Sequence, residues 1–237
     1  ELPLVKKSKN LGEKRNDRYF CVIRVLHIRF DPLYIIMGKR SDFIRRKRDF
    51  YPTPVSALEP LIPHLPNSFT YIEPCSGDGA LIRALESFEG IAKGGRFQPT
   101  LEYASDIHLP WKVTQLEEGS HVHCKNGLCA YKKDVFDIVD VEDNVDFFIT
   151  NPPWDRNILH PLIMHLSSIR PTWILFDADW MHTKQAAPYL KYCTKIVSVG
   201  RVKWIPNSPH TGKDNCCFYL FEDKKVLGRK VVDFCGR

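Results

Sequence analysis

Short apolar and amphipathic segments alternate along most of this chain, separated by glycine, proline and polar residues. Strand-like apolar runs lie at residues 69–73, 101–105, 145–150, 172–176, 195–199 and 216–221. Segments with helical spacing or composition lie between them, at 55–62, 80–88, 158–169 and 181–190. Strands that alternate with helices are typical of a parallel sheet covered by helices on both faces. We therefore predict an α/β fold with a mostly parallel sheet, and we expect the polar stretch 108–127 to be irregular.

The charge is distributed unevenly along the chain. Residues 1–48 contain 14 Lys and Arg against 5 Asp and Glu, whereas residues 49–237 contain 20 against 23. The formal net charge of +6 therefore comes from the start of the chain. We divide the chain into a basic N-terminal extension, 1–47, and a folded domain, 48–237. Such an extension could be an arm that binds nucleic acid by attracting its phosphates. The alternative is a tail that is only solvated.

Composition excludes several classes of protein. No run of apolar residues is long enough for a transmembrane helix, so we expect no membrane partner. The 8 cysteines show no disulfide framework, which favours reduced thiols and a cytoplasmic protein. Four residues of a polar loop could act as zinc ligands: His121, His123, Cys124 and Cys129. Because their spacing is unusual for a zinc site, we assign no metal site here and leave metal binding by these residues as an open question.

The first segment with chemical content is the loop after the strand at 69–73. It reads Glu-Pro-Cys-Ser-Gly-Asp-Gly and leads into the helix at 80–88. Its glycines, Gly77 and Gly79, allow the backbone to approach a ligand, and such loops lie beyond the carboxyl ends of strands, where α/β folds bind ligands. The loop is neither a dinucleotide motif nor a P-loop. Glu73 suits a ligand with a positive amine or sulfonium, and Asp106 after the next strand suits ribose hydroxyls.

The strongest signal is Asn151-Pro152-Pro153-Trp154, directly after the apolar strand at 145–150. Two consecutive prolines restrict the backbone and remove two N–H donors. The side-chain oxygen of Asn151 and the carbonyl of Pro152 could therefore orient an exocyclic amine and stabilise its developing positive charge. Trp154 offers a flat surface on which a flipped base can stack.

Together these motifs resemble the class I S-adenosylmethionine-dependent amino-methyltransferases, which have a Rossmann-like fold. The order of the motifs is similar to that of the DNA N6-adenine branch, especially the small enzymes encoded by bacteriophages. The segment Arg-Asp-Phe-Tyr-Pro-Thr-Pro at 48–54 resembles the cofactor-contacting motif at the start of that branch. For a phage enzyme the location would be the cytoplasm of the host cell.

The resemblance implies roles for residues that match the family's motifs. The target amine would be held by the catalytic set Asn151, Pro152, Pro153 and Trp154. S-adenosylmethionine would be bound by Tyr51, Thr53, Pro54, Glu73, Pro74, Cys75, Gly77, Asp78, Gly79, Asp106, Asp134, Val135 and Phe136. Within this set, Tyr51, Thr53 and Pro54 would close over the carboxylate end of the cofactor, and Asp134 would contact its adenine amine.

The identity of the acceptor is less well determined. Little chain remains for a separate domain that reads DNA sequence, and residues 49–237 are slightly acidic. We expect nucleic acid as the partner, with DNA ahead of RNA. The alternatives are a protein glutamine methyltransferase, an RNA methyltransferase and a non-catalytic module that binds the cofactor. The segment 201–214, with basic, aromatic and turn residues, is either a substrate loop over the site or an ordinary surface loop.

Overall fold

The structure is a computed structural model that describes residues 50–109, 113–115, 121–125, 128–223 and 232–236. For residues 113–115, 121–125 and 128–129 it describes the backbone alone. The basic extension at 1–47 lies outside the described residues, and so do the side chains of the zinc candidates His121, His123, Cys124 and Cys129.

Ten strands form one sheet in the order β10-β8-β9-β7-β6-β1-β2-β5-β4-β3. In chain order they are β1 Ser68–Glu73, β2 Gln98–Asp106, β3 Val113–Gln115, β4 His121–Lys125, β5 Leu128–Lys132, β6 Phe147–Thr150, β7 Thr172–Asp177, β8 Cys193–Arg201, β9 Asn215–Phe221 and β10 Asp233–Cys235.

The centre of the sheet is parallel. Strand β1 pairs in parallel with β2 on one side and β6 on the other, and β6 continues in parallel to β7. Strand β9 runs antiparallel to both β7 and β8, and β3, β4 and β5 form an antiparallel meander at the other edge. The chain moves outwards from β1 in both directions, so the boundary between β1 and β6 is a topological switch point, where doubly wound folds bind ligands.

Helices and apolar side chains cover both faces of the sheet. The helices are α1 Val55–Leu58, α2 Ala80–Glu86, α3 Ala92–Gly95, α4 Arg156–Ile169 and α5 Ala187–Leu190, with short 3₁₀ turns between several of them. Alternation along β1 sends Tyr71 into the core that contains α1 and α2, and Ile72 into the core that contains α4. The predicted Rossmann-like α/β fold, with a mostly parallel sheet and helices on both faces, is confirmed.

Two local predictions need correction. The stretch 108–127, expected to be irregular, contains β3 and β4, because short strands at or next to the edge of a sheet can form without an apolar run that would mark them. The helix expected at 181–190 is divided into 3₁₀ turns and the short α5, because Thr183 has an extended backbone that interrupts it. Within the described part of the chain, no helix has the length and apolar character needed to cross a membrane.

Candidate functional site

Three strands bring the predicted motifs to one edge of the sheet. Glu73 is the last residue of β1, Asp106 is the last residue of β2, and Asn151 follows Thr150 at the end of β6. Because these strands are parallel neighbours, their carboxyl ends lie side by side at the switch point. Segments distant in sequence are thereby brought together at the place where α/β folds bind ligands.

A cleft of about 280 Å³ lies at this edge. Its lining contains Tyr51, Thr53, Glu73, Cys75, Gly77, Asp78, Asp106, Asn151 and Pro153, all of them named from the sequence. It also contains Phe50, Pro52, Ser76, Ala80, Leu81, Ile107 and His108, which the sequence reasoning missed. Each missed residue is close in sequence to a predicted one, so extending each motif by a few positions would have found it.

The other predicted residues do not line the cleft. They are Pro54, Pro74, Gly79, Asp134, Val135, Phe136, Pro152 and Trp154. Asp134 caps a 3₁₀ turn by accepting the Phe136 N–H, and Val135 belongs to the apolar core. The ring of Phe136 packs against His165, with centroids 5.4 Å apart. The adenine-binding role that the resemblance implies for these three residues remains a prediction.

The glycine loop is held in shape by Asp106. The Gly77 N–H donates to Asp106 Oδ2 at 2.9 Å, and the His108 N–H donates to Oδ1 at 2.7 Å. Gly77 has φ of +52°, and a Cβ added there would lie 2.6 Å from the Phe50 ring. A side chain at position 77 would thus be strained and would collide with the wall of the cleft. Each oxygen of Asp106 keeps a lone pair for a further donor, such as a hydroxyl.

Glu73 is a buried acid of the cleft. The residue is 1% exposed, and Oε1 accepts from Thr150 Oγ1 at 2.5 Å and from the Cys75 N–H at 3.0 Å. Burial raises the pKa of Glu73 to about 8, although these two hydrogen bonds oppose the shift. Within the described residues Oε2 has no hydrogen-bond partner. A buried acceptor without a partner suggests that a ligand donor completes it.

The thiol of Cys75 is no candidate nucleophile. Burial, with Glu73 nearby, raises its pKa well above the ordinary value, which disfavours the thiolate. The described residues also contain no group of three or more His, Cys, Asp or Glu that could hold a metal ion.

The Asn151 amide is held at both ends. Its Nδ2 donates to Thr53 Oγ1 at 3.0 Å and to the Tyr51 carbonyl at 3.5 Å. Its Oδ1 accepts from Trp154 Nε1 at 3.2 Å. Asn151 therefore reaches the cleft from the end of β6 with its amide fixed by the segment at Tyr51 and Thr53 and by Trp154 of its own tetrapeptide.

An aromatic cluster lies beside Asn151. The ring of Trp154 meets that of Trp204 edge to face, with centroids 5.8 Å apart, and Trp204 lies 6.4 Å from Tyr51. Trp204 belongs to the segment 201–214, and Gly212 packs closely against it. The sequence left two interpretations of this segment open, a substrate loop and an ordinary surface loop. The contact of Trp204 with Trp154 of the tetrapeptide favours the substrate loop. No local pattern in the sequence indicated that contact.

No model of a protein family and no curated protein sequence matches this chain. Among solved structures, one similar protein is from Listeria monocytogenes and assigned as a class I S-adenosylmethionine-dependent methyltransferase. Its identity is 12% and its TM-score 0.44, over 82% of this chain and 68% of that one.

A dimethyladenosine transferase from Plasmodium falciparum has 14% identity and a TM-score of 0.39, over 74% of this chain and 63% of that one. The 23S rRNA methyltransferase ErmE has 10% identity and a TM-score of 0.39, over 77% and 70%. All three sequence identities and TM-scores are low, so the function proposed for this chain rests on its own cleft.

Proposed function

We propose that this chain binds S-adenosylmethionine in the cleft and transfers its methyl group to an exocyclic amine of a nucleic-acid base, with N6 of adenine in DNA as the first acceptor to test. The observation that carries the proposal is the meeting of the Glu73 loop and Asn151 at one cleft. The Glu73 loop suits the cationic amino acid moiety of the cofactor, and Asn151 suits an acceptor amine that must be oriented.

The residues of the cleft fit the cofactor. Oε2 of Glu73 is a buried acceptor without a protein partner, which suits the ammonium group of the methionine moiety. Gly77 lines the cleft without a side chain, so a ligand can approach its backbone, and the carboxylate of Asp106 has lone pairs for ribose hydroxyls. When bound, S-adenosylmethionine would supply an electrophilic methyl group on a sulfonium: the acceptor nitrogen would bond to the methyl carbon as the carbon–sulfur bond breaks, S-adenosylhomocysteine would leave with the electron pair, and the nitrogen would give up a proton to water.

Asn151 would orient the acceptor nitrogen. Its Oδ1 accepts one hydrogen bond from Trp154 and keeps a second lone pair for an N–H of the target amine. The carbonyl of Pro152 is the second acceptor that we propose. Two acceptors on one amine would direct the nitrogen lone pair towards the methyl group and stabilise the positive charge that develops on nitrogen.

A nucleic-acid acceptor is supported by the aromatic cluster and by the distribution of charge. Trp154 and Trp204 lie next to Asn151, where a base turned out of its stack could pack against an indole. The excess of cations in residues 1–48 suits phosphate. The preference for DNA over RNA rests on the order of the motifs in the sequence.

The test is transfer of labelled methyl from S-adenosylmethionine to duplex DNA, single-stranded DNA, RNA and a protein extract. We would compare the wild type with Asn151→Ala and with the matched control Asn67→Ala, an exposed position just before β1. Asn67 precedes the amino end of β1, whereas the cleft lies at the carboxyl ends of the strands.

We expect label in nucleic acid with the wild type and Asn67→Ala, and a loss of at least about a hundredfold with Asn151→Ala, a typical cost of removing an oriented acceptor. Label confined to RNA would show that RNA, and not DNA, is the acceptor. Label confined to protein would contradict the nucleic-acid proposal and favour the glutamine alternative. Bound cofactor without transfer to any acceptor would favour a non-catalytic module.

A further inference from the structure

We infer that Thr53 is a positioning residue for Asn151: its hydroxyl holds the Asn151 amide firmly in the orientation that the Tyr51 carbonyl and the Trp154 indole select, with the oxygen available to the acceptor amine. This inference rests on the proposed function, because it concerns how Asn151 presents its oxygen. It differs from the role that the sequence resemblance implies for Thr53, which is closure over the carboxylate end of the cofactor.

The contacts of the amide have fixed polarity. The Tyr51 carbonyl can only accept a hydrogen bond, and the Trp154 indole can only donate one. Nδ2 of Asn151 faces the former and Oδ1 faces the latter. A flipped amide would place oxygen against a carbonyl and two N–H donors against each other. The surroundings therefore permit one orientation of the amide, the one with its oxygen on the Trp154 side.

Thr53 supplies the short contact of this arrangement. Its Oγ1 accepts from Asn151 Nδ2 at 3.0 Å, whereas the Tyr51 carbonyl lies at 3.5 Å. Thr53 is 5% exposed, so solvent does not readily replace the lost bond. Pro52 and Pro54 flank it and restrict the backbone, which fixes the position of the hydroxyl.

The Thr53–Asn151 bond joins two segments separated by 98 positions in the sequence. It ties the segment before α1 to the tetrapeptide after β6. The segment that lines the cleft at Tyr51 and Thr53 therefore also sets the geometry of the proposed catalytic residue. Removal of the Thr53 hydroxyl would leave Nδ2 with only the longer contact, and the amide would be held less firmly in its orientation.

Substitutions of Thr53 separate positioning from cofactor binding. Thr53→Val keeps the shape and removes the hydroxyl, Thr53→Ser keeps the hydroxyl, and Thr194→Val removes a different buried threonine hydroxyl in β8 as a control. We expect Thr53→Val to lower kcat about tenfold, the value of roughly one hydrogen bond. We expect the Kd for S-adenosylmethionine to be unchanged, and Thr53→Ser and Thr194→Val to behave like the wild type.

The inference is overturned if Thr53→Val weakens cofactor binding and leaves kcat unchanged, since Thr53 would then act on the cofactor. It is also overturned if Thr53→Val matches the wild type in both quantities. If the wild type itself transfers methyl to no acceptor, the proposed function fails, and a readout without activity is needed for the positioning role.

That readout is the indole N–H signal of Trp154 in an NMR spectrum of the full chain, which has 5 tryptophans. Its loss in Trp154→Phe assigns it. We expect Thr53→Val to shift this signal towards its position in Asn151→Ala, while Thr53→Ser and Thr194→Val leave it in place. An unmoved Trp154 signal in Thr53→Val would show that the hydroxyl does not hold the amide.

Discussion

Replacing Glu73 by Gln should change how cofactor binding responds to pH. The pKa of Glu73 is raised to about 8 by burial, so the carboxyl of the free protein is mostly neutral at pH 7. Its Oε2 has no partner among the described residues. A cationic amine placed against Oε2 would favour the ionised carboxylate, and binding would then release the proton.

The size of this effect follows from the pKa. At pH 7 about 0.9 of the free protein holds the Glu73 proton, and the ligand's own α-amine takes up about 0.1 proton to become fully charged. We therefore expect release of about 0.8 proton per cofactor bound at pH 7. Since the ionised fraction of free Glu73 rises with pH below its pKa, the Kd should tighten about eightfold from pH 6 to pH 7.

The assay is isothermal titration calorimetry of S-adenosylmethionine in buffers of different ionisation enthalpy. The slope of the observed enthalpy against buffer enthalpy gives the number of protons released. Glu73→Gln keeps the size and the acceptor for Thr150 but cannot ionise, so its slope should be close to zero. Glu86→Gln, on the exposed side of α2, is the control and should match the wild type.

A wild-type slope near zero would refute this reasoning, because Glu73 would then stay neutral against the ligand or lie away from it. A wild-type slope that survives in Glu73→Gln would place the proton release on another group. Either result would show that Glu73 does not bind the ammonium group as an ionised carboxylate.

Three further predictions follow from single contacts. Gly77→Ala combines a left-handed backbone with a Cβ 2.6 Å from the Phe50 ring; if the loop relaxes away from its binding conformation to relieve a strain of roughly 1–2 kcal/mol, calorimetry should show the cofactor Kd weakened by about five- to thirtyfold. Asn151→Asp puts an anionic oxygen towards the Tyr51 carbonyl, and transfer assays should find kcat reduced even though the residue is nearly isosteric. His160 accepts from the Trp180 indole and burial lowers its pKa below 6.5, so its contribution to stability is present above pH 6.5 and is lost as pH falls through the folded pKa. Thermal melts should therefore show a smaller loss of Tm from pH 7 to pH 5 in His160→Phe than in the wild type.

Local patterns in the sequence were sufficient for the centre of the fold and for the two principal loops. Glu73 and Asn151 could be named because each directly follows an apolar run that forms a buried strand. The parallel order of those strands then requires both residues to lie at one edge of the sheet. Strands β3 and β4 were missed because each is short, 3 and 5 residues, and neither contains a run of apolar residues like those of the central strands.

Contacts between distant segments could not be read in this way. Nothing in the sequence near Trp204 indicates that its ring meets Trp154, because the contact depends on how the connection between β8 and β9 folds back. The bond between Thr53 and Asn151 is similar, since it depends on tertiary packing. The sequence motif suggested a cofactor role for Thr53, whereas its hydroxyl contacts the amide of Asn151.

Asn151 is proposed to present an exocyclic base amine to a methyl donor held by the Glu73 loop. The most direct test is mass spectrometry of nucleosides from DNA and RNA incubated with S-adenosylmethionine and the wild type, Asn151→Ala or Asn67→Ala. We expect N6-methyladenine nucleosides with the wild type and Asn67→Ala, and almost none with Asn151→Ala. Equal amounts with Asn151→Ala, or a methyl group found only on ring nitrogen or carbon, would contradict this role of Asn151.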